Sequence, residues 1–168
     1  MVKKTFFLFL IGFTGKKLHN QGGGANYQCL PRNPDWPYGA TGGYQSKSYM
    51  YGAEYQHEKS PAWSSKVHDN DVPCAVCLVS GRNRQVMIPA KQVCPNGWTR
   101  EYYGLLVADH HTHRSSTYIC LDANMEFVDG GNENKNGGLL YVVEAVCGSL
   151  KCPPYKDGFE LSCVVCTM

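Results

Sequence analysis

The sequence predicts a mostly β domain: a single disulfide-rich antiparallel sheet or sandwich-like fold with long loops and little helix. Three observations predict it. Tyrosine (11) and glycine (18) are abundant in the 168 residues, a composition that favours strands and turns. Nine cysteines are present, several of them inside β-branched runs such as "VPCAVCLV" and "LSCVVC". Short apolar or aromatic runs alternate with Gly, Pro and Asn-Gly turn signals along the whole chain.

The elements follow in order. Lys3 and Lys4 precede an apolar run from Thr5 to Phe13, the charge and core pattern of a secretory signal peptide. That run is about half the length a bilayer-spanning helix requires, so no membrane span is expected. Residues 1–15 are therefore read as a signal peptide, 16–47 as a Gly/Pro-rich N-terminal segment and 48–168 as the disulfide-rich β domain. Pro31, Pro34 and Pro37, with the glycines around them, speak against regular elements in 16–47. "SYMYGAEYQHE" (48–58) alternates aromatics as a strand does. Residues 74–90 read as a hairpin around Gly81-Arg82-Asn83. "CPNGW" (94–98) reads as a turn in which Asn-Gly supplies positive φ. Residues 100–122 read as two strands broken near Arg114–Ser116, and 123–138 as a polar loop. "LLYVVEAVCGS" (139–149) and "LSCVVCTM" (161–168) read as buried strands.

The cysteines are Cys29, Cys74, Cys77, Cys94, Cys120, Cys147, Cys152, Cys163 and Cys166. Two C-x-x-C pairs suggest zinc in a reducing compartment. Here the pairs lie far apart, in strand-like runs. Residues three apart on a strand face opposite ways, which opposes a shared metal or a redox dithiol. An oxidising compartment makes all nine candidates for disulfides. The likeness of the two C-x-x-C strands suggests that they lie side by side, cross-linked to each other. Nine is odd, so one thiol is left over and can bridge to another chain.

A formal charge of +2 with scattered Lys and Arg leaves no basic stripe, so nucleic acid is not an expected partner. "DHHTHR" (109–114) places Asp109, His111 and His113 on one face of an extended strand, the candidate metal ligands. A polar outward face is the favoured reading, because H-E-x-x-H is missing. Asp122, Asn124, Glu126, Asp129, Asn132 and Glu133 give an oxygen-rich loop, but Phe127 stands where a calcium loop of the EF-hand type needs Gly. No nucleophile elbow or P-loop occurs, and Ser115 and Ser116 beside the histidines do not make a triad. No cofactor is expected, and catalysis is the minority reading. Trp36, Tyr38, Tyr44, Tyr49, Tyr51 and Tyr55 cluster within 36–55. Exposed, Tyr49, Tyr51 and Tyr55 would stack on sugars or a protein partner; buried, they tie the N-terminal part to the sheet.

The segments "GGGANYQCL", "YGAEYQ", "DVPCAVC", "MIPAKQVCPNGWTREYYG", "HHTHRSSTYICLD", "NKNGGLLYVVEAVCGSLKCPPY" and "DGFELSCVVC" together resemble the cysteine-rich C-terminal domain of invertebrate short-chain, spongin-like collagens, over residues 22–168. "IPAKQVCPNGWTREYYGLLV" and "YICLD" are also similar to the non-collagenous C-terminal domain of basement-membrane collagen. The resemblance implies a secreted matrix protein that oligomerises or binds other extracellular-matrix proteins. The chain departs from it in having no Gly-x-y repeat. The expectation is a secreted, extracellular, non-catalytic matrix or adhesion module. The alternatives are a lectin-like, glycan-binding defence protein and, behind it, a metal-dependent hydrolase on Asp109, His111 and His113.

Overall fold

The computed structural model describes residues 6–16, 23–40, 42–43, 47–56 and 65–168. Nine strands follow one another: β1 (Phe6–Lys16), β2 (Gln28–Pro31), β3 (Tyr51–Tyr55), β4 (Pro73–Val79), β5 (Gln85–Pro89), β6 (Thr99–Ala108), β7 (Ile119–Asp122), β8 (Gly138–Val142) and β9 (Ser162–Thr167). A 3-10 turn at Ser65–Val67 is the one helical element among the described residues. The expected disulfide-rich, mostly β domain is what forms. All strands join one connected sheet, and every pairing between strands is antiparallel except β3 with β8, which is parallel.

The connectivity repeats. β1 pairs antiparallel with β2, β3 and β4, and β6 pairs antiparallel with β7, β8 and β9. The registers repeat as well. Thr14 faces Cys29 and Gly12 faces Cys74; Leu106 faces Cys120 and Gly104 faces Cys163. Lys16 faces Tyr51, as Ala108 faces Tyr141. Even the bulge recurs: the register of β1 against β4 slips between Leu8 and Leu10, that of β6 against β9 between Arg100 and Tyr102. In each unit a disulfide ties the second strand to the fourth, Cys29–Cys74 and Cys120–Cys163, both at a Cα separation of 5.6 Å. The chain is thus two copies of one four-strand unit, with β5 between them. "YQCL" (27–30) with "YICL" (118–121), "YGAE" (51–54) with "YVVE" (141–144), and "PCAVC" (73–77) with "SCVVC" (162–166) are the sequence trace of that duplication.

The two units share a core. Ala53, Tyr55, Val67 and Val72 of the first pack with Val107, Leu121 and Leu140 of the second. Full burial of each such side chain contributes ~1.5–3 kcal/mol. A second cluster, inside the second unit, joins Leu106 and Val165 to the Cys120–Cys163 disulfide. Tyr55 donates its hydroxyl hydrogen to the Glu126 carbonyl at 2.8 Å, which satisfies the phenol while its ring fills the core.

Several local expectations change. Residues 28–31 form β2 despite the prolines of their segment: Pro31 is its last residue, where the missing N–H costs least. The strands expected as a hairpin over 74–90 both exist, but β4 pairs with β1 and β5 with β9. The two C-x-x-C strands are not neighbours either; each is cross-linked inside its own unit. The apolar run read as the core of a leader is strand β1 from Phe6 onward; residues 1–5 lie outside the described residues, as do Tyr44 and residues 57–64.

Three buried phenols carry a pH dependence. Tyr102, which donates to the Cys120 carbonyl at 3.2 Å, has its pKa pushed up to about 12, chiefly by burial and then by Asp122 and Cys77 nearby. Burial also raises Tyr27 and Tyr55. The folded protein therefore keeps phenolic protons that the unfolded chain releases near pH 10. This contribution is complete below pH ~10 and is lost as pH rises toward 12, ~2–3 kcal/mol for Tyr102 alone. Alkaline titration followed by far-UV circular dichroism is expected to show unfolding in that window, shifted to higher pH in Tyr102→Phe.

Candidate binding groove and an open strand edge

The histidines do not sit on a strand. β6 ends at Ala108, and His113 donates its backbone N–H to the His110 carbonyl at 2.9 Å, closing a turn. "DHHTHR" has no apolar residue to hold a strand face against the core, and its one β-branched residue, Thr112, is engaged with His110 instead (Nδ1 to Oγ1, 2.8 Å). Asp109, His111 and His113 thus do not share the strand face expected of them. Among the described residues no three His, Cys, Asp or Glu side chains converge as a metal site. The oxygen-rich loop uses its first carboxylate internally, where Asp122 accepts the Asn124 N–H at 2.9 Å.

What the turn builds is one wall of a groove. The His110 ring lies 4.1 Å from that of His111, 5.4 Å from that of His113 and 4.8 Å from that of Tyr141, centroid to centroid. Asp109, His111, His113, Tyr118, Tyr141, Glu144 and Glu160 all line the same open cavity of about 550 Å3, within the size range of ligand sites. Tyr118 is 57 % exposed there. Ser116 is engaged structurally: its hydroxyl accepts the Asp109 N–H at 3.2 Å and meets the Tyr27 hydroxyl at 3.5 Å. Nothing positive points to catalysis.

At the other side of the groove Glu144 stands directly opposite Glu160 across an antiparallel bridge. Leu161 N–H bonds to Val143 O at 2.8 Å and Ala145 N–H to Phe159 O at 2.9 Å, so the two glutamates form the closely spaced, non-hydrogen-bonded kind of pair. Like charges in that position repel. The duplication supplies the counterpart. Glu54 bridges Asp71 in the first unit, flanked by the same two bonds, Tyr55 N–H to Asn70 O at 3.1 Å and Val72 N–H to Ala53 O at 2.9 Å. There the pair is covered by the chain's own loop. Glu54, only 2 % exposed, accepts the backbone N–H groups of Lys135 (3.2 Å) and Asn136 (3.1 Å). The Asp71 N–H donates to the Gly131 carbonyl at 2.7 Å. The Lys135 ammonium pairs with Glu133 at 2.8 Å and is raised in pKa by it, with Asp71 and Glu54 adding in the same sense.

The aromatic expectation is corrected in part. Tyr55 is 2 % exposed and cannot stack on a partner; Tyr49 and Tyr51 are half-buried. Tyr55 is covered because its face of β3 packs against Val67, Val72, Val107, Leu121 and Leu140. Among the described residues of that region, Trp36 and Tyr38 are the exposed aromatics. The groove tyrosines were missed; Tyr141 matches Tyr51 in the repeat, and that match was the available signal.

Eight cysteines pair: Cys29–Cys74, Cys94–Cys166, Cys120–Cys163 and Cys147–Cys152. Cys77 is free and exposed, in the middle of β4. Four disulfides of this kind are typical of extracellular proteins. No helix among the described residues is long and apolar enough to cross a membrane. No family model matches the chain, and no solved structure matches it.

Proposed function

We propose that the protein is a secreted, non-catalytic matrix or adhesion module that holds a segment of an extracellular partner protein in the groove beside the histidine turn. The observation that carries this reading is the repeated carboxylate pair. In the first unit Glu54 of the pair accepts two successive backbone amides, those of Lys135 and Asn136, and both carboxylates sit near the Lys135 ammonium. In the second unit Glu144 and Glu160 occupy the same place in the fold and line a groove walled by Tyr141 and imidazole rings. Neither glutamate side chain hydrogen-bonds or ion-pairs within the described residues. The chemistry of the covered pair describes the guest of the open one: a turn that presents consecutive N–H groups and a cationic side chain. The matrix setting accords with the short-chain-collagen resemblance and with the disulfide count. A glycan-binding role is the second reading, favoured by the exposed ring of Tyr118 in the same groove.

Titration with the octapeptide Gly-Asn-Glu-Asn-Lys-Asn-Gly-Gly (the 131–138 sequence) is expected to shift the NMR signals of Tyr118, Tyr141 and Glu144. Glu144→Gln should weaken binding about tenfold, since a hydrogen bond to a charged group is worth ~1.5 kcal/mol or more. Glu144→Gln should also raise Tm by ~1–3 °C, by removing the repulsion from Glu160. Signals that stay fixed at millimolar peptide sink the protein-partner reading. A response to neutral oligosaccharides, lost in Tyr118→Ala and retained in Glu144→Gln, would establish the glycan reading in its place.

A further inference from the structure

The two units differ at one edge. In the second, β9 is enclosed: β6 pairs with one edge and β5 with the other, and Cys166 is bonded to Cys94 from the β5–β6 connection. In the first, β4 pairs with β1, and no described strand lies along its other edge. The consequence shows in exposure. Val165 is 4 % exposed and Thr167 6 %, whereas their counterparts Val76 and Leu78 are 43 % and 60 % exposed. Cys166 is fully buried; its counterpart Cys77 is exposed and free. The registers fix that correspondence, because Leu8 faces Cys77 just before the bulge of β1, as Arg100 faces Cys166 just before that of β6. Residues 1–28 contain no cysteine.

We infer that the open edge of β4 is a self-association site, where β4 of a second copy docks antiparallel across a two-fold axis through Cys77 and the two Cys77 thiols form an interchain disulfide. The internal repeat is the precedent: on β9 the same edge takes an antiparallel strand, and the same cysteine is disulfide-bonded. The geometry agrees. A two-fold centred on Cys77 sets the two residues directly opposite, ~4.5–5.5 Å apart at Cα. The four existing bridges span 5.6–5.9 Å, and the allowed range for a disulfide is ~4.4–6.8 Å. An isologous pairing also places Val76 of each copy directly opposite Leu78 of the other, covering apolar side chains that are otherwise wet. The strand is short, so the pairing needs its covalent link.

The oxidant is a small-molecule disulfide of the secretory pathway, for which oxidised glutathione serves as probe. One Cys77 thiolate attacks a glutathione sulfur, giving a mixed disulfide and expelling one glutathione thiolate. The second copy's Cys77 thiolate then attacks the Cys77 sulfur and expels the other. Two protein thiols are oxidised and one glutathione disulfide is reduced to two thiols, the two protons given up by the Cys77 thiols being taken up by the expelled glutathione thiolates.

The test uses the full chain in a glutathione redox buffer. A covalent dimer is expected on non-reducing gels, with a Cys77–Cys77 cross-linked peptide by mass spectrometry; Cys77→Ser should be monomeric in sedimentation. Val76→Lys and Leu78→Lys, which charge the edge, should each slow dimerisation about tenfold while Cys77 still reacts with a small thiol reagent at the unaltered rate. A thiol that is only glutathionylated overturns the inference. So does a dimer that forms equally fast in the lysine variants, or one cross-linked elsewhere. Peptide binding in the groove is read independently of all these outcomes.

Discussion

Gly104→Ala is expected to prevent the protein from reaching its native state. A Cβ built on Gly104 would lie 1.8 Å from the Leu121 carbonyl oxygen and 2.7 Å from the Ala123 nitrogen. Both are backbone atoms, so no rotamer change relieves the clash. β7 cannot retreat: Cys120, beside Leu121, is bonded to Cys163, and Cys163 stands opposite Gly104 on β9. Ordinary overpacking costs ~1–3 kcal/mol; here a strand pairing and a disulfide must both yield. The loss should exceed ~5 kcal/mol, the lower end of a whole domain's stability. The measurement is the yield of soluble protein with four intact disulfides. Gly52→Ala, where an added Cβ meets nothing within 4 Å, should express normally and is the control. Gly12 holds the same register position in the first unit as Gly104 in the second. The glycine therefore belongs to the plan of the unit: it is where the second strand crosses the first closely enough to be stapled to the fourth.

Removing the Cys120–Cys163 bridge by double alanine substitution is the second large effect expected. The bridge closes a loop of sequence separation 43, for which the chain-entropy model gives ~4 kcal/mol. Cys120 and Cys163 also pack in the core with Leu106 and Val165, so cavity terms add to the loss. The Cys147–Cys152 bridge, of separation 5, should cost only ~2 kcal/mol on the same model. Urea denaturation of the two double variants should reproduce that order, and equal losses would refute the loop-length argument for this fold.

Strand positions were legible because each apolar run is bounded by turn chemistry. Residues 51–55, 119–122 and 162–167 fall inside the strands expected, and Gly97 in "CPNGW" has the positive φ (85°) that Asn-Gly foretold. Pairing was not legible. β4 and β5 are joined by a short turn-like connection, yet each pairs with a strand remote in sequence. The histidine segment was misjudged because alternation over a few polar residues says nothing once the core-facing positions run out at Ala108. The duplication could have been read from Tyr27-Gln28-Cys29-Leu30 and Tyr118-Ile119-Cys120-Leu121. Recognising it would have paired Cys29 with Cys74 by the same rule as Cys120 with Cys163, and singled out Cys77 as the cysteine without an internal partner. Unequal connections hid it: the aromatic and proline-rich stretch of the first unit stands where the second has its asparagine-rich loop.

The central place of β9 has a consequence for biogenesis. The chain is made from its N-terminal end, so Cys29 can meet Cys74 while the ribosome is still working on the second unit. Cys94 and Cys120 have no such opportunity: their partners, Cys166 and Cys163, lie on the last strand to emerge. Until then β5 and β6 lack the strand that joins them, and Cys94 and Cys120 have no native partner. Oxidation of this fold is therefore a two-stage event: the Cys29–Cys74 bridge can close before β9 exists, and the Cys94–Cys166 and Cys120–Cys163 bridges wait until Ser162–Thr167 slides between its neighbours.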